Sequence, residues 1–278
     1  MAGVRVHVLG TVQDGGLPHP GCSCANCKAA RRDPSLRRRV ASIAIEGRTG
    51  RTLLVDASPD FRDQLDALSD ATGRPPPAID EIVITHAHVG HYLGLAFLGK
   101  EAMHAPAMPV YCTPSVARFL EGNRPWSHLV EREEIDLRTL APGRPHAFDG
   151  AMVHAFLSPH RGEDTDTLGF EIVGPSRRLT YVSDADVFPP AIVDRIRDCD
   201  VAVVDGTFYD EKELPNRDML AVRHPTVRAS IPRLTGGRGQ VYFTHMNHTN
   251  PLLDPKSPER AALPPGFHVL EEGTVFDL

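Results

Sequence analysis

The segment Thr85-His86-Ala87-His88-Val89-Gly90-His91 places three histidines within six residues. It follows the apolar run Ile82-Val83-Ile84, which reads as a buried strand. It precedes Tyr92-Leu93-Gly94-Leu95-Ala96-Phe97-Leu98, which reads as the start of a buried helix. A strand-to-helix turn is expected between them, with imidazoles that converge on one point. Neutral imidazole is the commonest metal ligand, so His86 and His88 are spaced to grip one ion, and His91 can reach a second beside it. Fourteen histidines in 278 residues allow some clustering by chance. A triplet placed directly after a buried strand is harder to explain that way.

The same arrangement recurs along the chain. A strand over residues 151–157 runs into His160. A strand over 179–183 ends at Asp184, with Asp186 two residues on. Residues 201–207 form a buried strand ending in an acid, and Gln240 to Thr244 form a last buried strand ending at His245. His86, His88, His91, His160, Asp184 and His245 therefore each follow a short buried run. Loops at one end of a sheet-based fold bring such residues together.

The remaining segments supply a frame. Strands are expected over 4–9 and 109–112, a hairpin over 42–46 and 52–56, and a strand pair over 169–173 and 179–183. Helices are expected over 59–68, 113–121, 192–196 and 226–234. The first has Ser58 as N-cap, Pro59 at its first position, and Phe61, Leu65 and Leu68 as its apolar stripe. His7 is read as an outward-facing strand residue, His146 as a loop residue and His154 as a strand residue, none of them ligands. Cys112 is read as core, and Trp126 as packing under a long loop rather than lining a substrate pocket.

A chain of this length can bury a full core, and residues 1–278 are expected to form a single domain. The net charge of −6 argues against a general nucleic-acid surface. The patch Arg31, Arg32, Arg37, Arg38 and Arg39 is read as a solvated face or loop. No stretch has the length of a transmembrane helix, and residues 1–10 lack a signal-peptide core, so a cytoplasmic protein without membrane contact is expected. Five cysteines are an odd number, and three crowd into Cys22-Ser23-Cys24-Ala25-Asn26-Cys27. That suits a metal site in a reducing compartment. Three thiols at this spacing can wrap one tetrahedral zinc with Zn–S distances of about 2.3 Å, a fourth ligand coming from elsewhere.

The histidine segment resembles the His-x-His-x-Asp-His signature of the metallo-β-lactamase superfamily, with Gly90 where that signature has aspartate. The resemblance extends over nearly the whole chain through the strand-end residues above. It implies an α/β (α+β) fold, the αββα sandwich, with a metal site along one edge of the paired sheets. It further implies that His86, His88 and His160 hold a first metal, that Asp184 bridges, and that His91 and His245 serve a second. Two branches come closer. The phosphonate-pathway cyclic phosphodiesterases resemble the chain in the cysteine loop and in Thr-His-x-x-His near the end, implying a structural zinc on Cys22, Cys24, Cys27 and His248. The pyrroloquinoline quinone biosynthesis proteins B are similar in Cys22-Ser23-Cys24-Ala25-Asn26-Cys27, Tyr111-Cys112-Thr113-Pro114, Val204-Asp205-Gly206-Thr207-Phe208 and Thr249-Asn250-Pro251.

The function these features lead to is metal-dependent hydrolysis of a phosphodiester or other small ester-like substrate, with Asp184 and His245 in catalytic roles. The ions expected are one structural zinc and one or two zinc, manganese or iron ions at the active site, with no organic cofactor. A rival is a non-haem iron oxygenase or hydroxylase of cofactor biosynthesis, since three histidines and a carboxylate can hold iron(II) with open positions. A third is a non-catalytic binding or carrier protein. The partner expected is a small-molecule or peptide-derived substrate; oligomeric state has no signature. Because Gly90 brings no carboxylate, the second metal is expected to be held more weakly than the first.

Overall fold

In Ser42–Glu46, Ile43 and Ile45 face one core while Ala44 faces another, and all five residues are buried. A strand buried on both faces belongs inside a layered fold. The computed structural model describes residues 3–162, 164–214 and 223–278.

In chain order the elements are β1 (Arg5–Gly10), α1 (Ala25–Arg32), β2 (Ser42–Glu46), β3 (Thr52–Val55), α2 (Phe61–Thr72), β4 (Glu81–Val83), α3 (Val89–Tyr92), β5 (Met108–Cys112), α4 (Pro114–Gly122), α5 (Trp126–Glu131), β6 (Ile135–Thr139), β7 (His146–Phe148), β8 (Ala151–Ser158), β9 (Thr167–Val173), β10 (Arg178–Val182), α6 (Pro190–Asp198), β11 (Val201–Asp205), α7 (Val227–Leu234), β12 (Gln240–Thr244), α8 (Pro258–Ala261), β13 (Phe267–Val269) and β14 (Val275–Asp277). The strands form two seven-stranded sheets, ordered β14-β1-β2-β3-β4-β5-β6 and β13-β12-β11-β10-β9-β8-β7. In the first, β14, β1, β2 and β3 pair antiparallel, and β3 to β6 pair parallel. The second repeats the scheme, antiparallel from β7 to β10 and parallel from β10 to β13.

Three apolar clusters bind the layers. Val6, Val8, Ile43, Leu53 and Val55 of the first sheet meet Val153, Phe170, Ile172, Tyr181 and Val203 of the second. Phe61, Leu65, Leu68, Val116 and Leu120 cover the outer face of the first sheet over Leu54, Ile82 and Val110. Ile192, Ile196, Val227 and Leu234 cover the second over Val182, Val204 and Phe243. The layers are helix, sheet, sheet, helix, which is the αββα arrangement.

The structure corrects several local expectations. His7 does not face outward: it is 2% exposed, and its Nε2 lies 2.6 Å from Glu46 Oε2. His146 is not in a loop but in β7, where it meets Glu81 at 3.0 Å. The helix expected over 59–68 is Phe61–Thr72, with Asp60 at the cap position; the Ser58 hydroxyl accepts from Asp60 N–H instead. Residues 93–98 form a 3₁₀ segment rather than a continuing α-helix, with Gly94 packed closely against the backbone of Ala57 and Ser58. Arg38 and Arg39 are not solely solvated: they pair with Glu271 at 3.1 Å and Glu272 at 2.8 Å. Trp126 packs on Tyr92, ring centroids 4.7 Å apart, and Cys112 is buried in the helix-covered core. Among the described residues, no helix is long and apolar enough to cross a membrane.

Candidate metal centre

Strands β1, β3 and β4 of one sheet and β8, β10, β11 and β12 of the other end at a common edge, and the residues just past those ends converge. Ligands in α/β sheets gather at the carboxyl ends of strands for the same reason: turns there can differ in sequence without disturbing the core. The structure brings His86, His88, His91, His160, Asp184 and His245 together there. Potential donor atoms lie within 4.8 Å of one another in His86, His88 and His160, and likewise in His86, His91 and Asp184.

His86, His91, His160 and His245 are held from behind. His86 Nδ1 lies 2.9 Å from Thr85 Oγ1, leaving Nε2 buried with no partner. His160 Nδ1 lies 3.2 Å from Asp186 Oδ1, and its Nε2 is 3.2 Å from His88 Nδ1. His91 Nδ1 lies 2.7 Å from Asp56 Oδ2, which leaves its Nε2 without a partner. His245 Nδ1 lies 3.1 Å from Thr207 Oγ1, and its Nε2 is also unpartnered. Asp184 sits between the two groups: Oδ1 is 3.3 Å from His245 Nε2 and 3.7 Å from His160 Nε2, and Oδ2 is 3.4 Å from His91 Nε2. Its backbone carbonyl accepts from Ser158, and Ala185 N–H donates to Asp205, fixing the turn. Asp184 rather than Asp186 is therefore the carboxylate inside the cluster; Asp186 stands behind His160.

Buried polar atoms are ordinarily paired, because leaving one bare costs about 1–3 kcal/mol. Here His86 Nε2, His91 Nε2, His245 Nε2, Asp184 Oδ2 and Asp14 Oδ1 are all buried, unpartnered and aimed at one small region. Imidazole nitrogens braced by carboxylates or hydroxyls, with bare nitrogens facing a carboxylate, form a donor set that fits divalent cations.

The electrostatics set the two donor groups apart. Burial first, and then the neighbouring histidines, push His86 well below the ordinary imidazole range; burial lowers His88, and takes His160 to about 4. These three rings are neutral with lone pairs available, as metal ligation requires. Burial opposes protonation of His91, but Asp56 and Asp184 outweigh it and raise His91 to about 10. Burial likewise opposes ionisation of Asp184, yet the surrounding imidazoles hold it well below the carboxylate range.

Three participants were not singled out in the sequence. Asp56, just past β3, is wholly buried and also accepts from Thr85 N–H at 2.7 Å. His224 is buried with Nδ1 2.7 Å from Asp205 Oδ2, and it offers a donor within 4.8 Å of those of His160 and Asp184. Asp14 lies in the loop after β1, with Oδ1 3.8 Å from His91 Nε2 and 3.9 Å from His245 Nε2. Burial opposes its ionisation, but the neighbouring imidazole of His245 and the charge of His91 take it to about 2. The second donor group is therefore not a carboxylate short, as Gly90 alone suggests. His7, His146 and His154 stay outside the cluster. His245 and Asp56 have φ of 56° and 67°, left-handed conformations that non-glycine residues adopt at some cost, and both are at the site.

A second cluster joins distant parts of the chain. Cys22, Cys24, Cys27 and His248 offer four donors within 4.8 Å of one another. Cys22 Sγ and Cys24 Sγ lie 3.4 and 3.6 Å from His248 Nδ1. Asn26 Nδ2 donates to the carbonyls of His248 and Asn250, closing the same clasp. Burial pushes the Cys27 thiol up to about 12, so a thiolate there depends on a neighbouring cation.

Residues 51–251 match the family model described as Beta-lactamase superfamily domain. The chain belongs to the beta-lactamase superfamily. Within that superfamily it is 28% identical to a coenzyme PQQ synthesis protein B of Ruegeria pomeroyi, over 97% of this chain and 98% of that protein. A protein of the same description from Azotobacter vinelandii is 28% identical over 99% and 100% of the two chains. The Zn(2+)-bound PqqB of Methylobacterium extorquens superposes with a TM-score of 0.84 at 25% identity, covering 99% of this chain and all of that one. A diphosphatase of the PhnP family shares the fold with a TM-score of 0.73 at 24% identity, covering 99% and 97%.

Proposed function

We propose that the protein is a metal-dependent hydrolase acting on a phosphodiester or similar small ester. The observation that carries this reading is the set of buried, unpartnered donors of His86, His91, His245 and Asp184 facing one region, with His88 and His160 beside them. His86, His88 and His160 would hold one divalent ion, Asp184 would bridge, and His91 and His245 would serve a second. Bound there, a divalent ion would supply an acidified water, its pKa brought from 15.7 to about 7, and would polarise an ester oxygen.

The chain's own groups supply the rest. Asp184, facing both histidine groups, would orient the attacking water. His224 presents Nε2 on the site side because Asp205 holds Nδ1, which lets it pass a proton to the departing oxygen. Cys22, Cys24, Cys27 and His248 would hold a structural zinc with no open position. Three neighbouring thiols suit a reducing compartment, which supports a cytoplasmic setting.

The full-length similarity to coenzyme PQQ synthesis proteins B favours a second reading, hydroxylation at a single iron in cofactor biosynthesis. Metal quantification on protein purified without added metal, with turnover of bis(4-nitrophenyl) phosphate, separates the two. Hydrolysis with zinc or manganese, lost in Asp205→Asn at unchanged metal content, is the expected result. Iron as the retained ion and no hydrolysis with any metal would discard the hydrolase.

A further inference from the structure

Gly90 is a buried helical residue with an ordinary backbone conformation, so no left-handed turn calls for glycine there. Space does. A Cβ at position 90 would overlap the Asp14 carboxylate and lie 2.9 Å from both Asp14 Cα and Asp14 Cγ. The side chain missing from position 90 and the side chain present at position 14 compete for one volume.

Asp14 is held in that volume by backbone. Gln13 N–H donates to Met246 C=O at 3.0 Å, Met246 N–H donates to Thr11 C=O at 3.1 Å, and Val12 bridges to Val40 and Met246. The loop carrying Asp14 is therefore paired to the residue after His245. Gly16, with φ of 67°, turns the chain back, and its N–H donates to Gln13 C=O at 2.8 Å. Asp14 Oδ1 is buried without a hydrogen-bond partner, and it faces the unpartnered Nε2 atoms of His91 and His245, residues 0% and 2% exposed.

We infer that Asp14 is a ligand of the second divalent ion, replacing from a different loop the aspartate that the superfamily signature carries at position 90. The inference rests on the cluster being a metal centre and is indifferent to the reaction run there. Asp186 does not fill the role, because its carboxylate is engaged with His160 on the far side of the first donor group.

The test is metal stoichiometry and affinity by calorimetry and elemental analysis, on the full chain stripped with chelator and reloaded with zinc or manganese. Asp14→Asn keeps the shape of the side chain and loses the charge. It should weaken the second active-site equivalent more than about 100-fold, since even outer partners of ligands are worth 10–100-fold. The first equivalent and the cysteine-site ion should be unchanged, and circular dichroism reports whether the variant folds. Gly90→Asp alone should not tighten binding, because it crowds Asp14. Asp14→Gly combined with Gly90→Asp should restore two equivalents. Two tightly held active-site ions in Asp14→Asn would overturn the inference and leave the metal centre intact. An unchanged chain that binds no ion beyond the cysteine site would overturn the metal centre, and this inference with it.

Discussion

His91 Nδ1 and Asp56 Oδ2 lie 2.7 Å apart with both side chains fully buried. Asp56 comes from the end of β3 and His91 from α3, so the contact ties two adjacent strand ends. It also fixes which nitrogen of His91 faces Asp184. Asp56→Asn should weaken the second-site ion by about 10–100-fold while leaving the first in place, the usual effect of losing a carboxylate behind a ligating histidine. Calorimetry on the reloaded protein measures it, and equal affinities in variant and parent would remove Asp56 from the site.

The first donor group makes a sharper contrast. His88→Ala should cut phosphodiesterase turnover by at least about 100-fold. His154→Ala, a half-buried position in β8 opposite Glu171, should leave turnover unchanged. An active His88→Ala enzyme would show that these rings are not where the chemistry happens.

The cysteine cluster predicts a coupled loss. Cys24→Ala opens a clasp whose two sides are 224 residues apart in sequence. Zinc content should fall by one equivalent, and a loss of about 2 kcal/mol should lower Tm by roughly 4 °C or more. Full zinc content at an unchanged Tm would show the cluster to be structurally idle.

Glu213 offers a pH test on a group that is not itself a ligand, although its partners Asn247 and Thr249 flank His248. Burial raises it from 4.5 to about 7, against hydrogen bonds from Thr249, Tyr209 N–H and Asn247. The folded chain therefore holds this proton more tightly than the unfolded chain does. The associated stability is fully present below about 4.5 and is lost as pH rises through about 7. Glu213→Gln should be the more stable form at pH 8 and should show a flatter dependence of Tm between pH 5 and 8. Parallel Tm profiles for the two proteins would refute the shift.

What could be read ahead of the structure followed from contrast. His86, His160, Asp184 and His245 each interrupt an apolar run, and a polar group at the end of a buried strand has few places to go. Asp14 had no such contrast: it sits among Gln13, Gly15 and Gly16 and reads only as a turn. His224 does follow a short apolar run, Met219-Leu220-Ala221-Val222, but Arg223 and Pro225 on either side of it make the histidine read as part of a polar loop. The edge strands β6, β7, β13 and β14 are short or partly exposed and lack clear alternation. His7 misled because alternation predicts a polar outer face, whereas Glu46 on the neighbouring strand gave it a buried partner.

The shared volume of Gly90 and Asp14 also constrains the order in which such a chain can change. A mutation that installs aspartate at 90 while Asp14 remains collides with it, and one that removes Asp14 while Gly90 remains leaves His91 and His245 one carboxylate short, with Asp184 alone facing both. Each single step is unfavourable, although both end states are complete. Lineages carrying one arrangement should therefore rarely cross to the other, and the pair of positions together, rather than either alone, marks which arrangement a sequence has inherited.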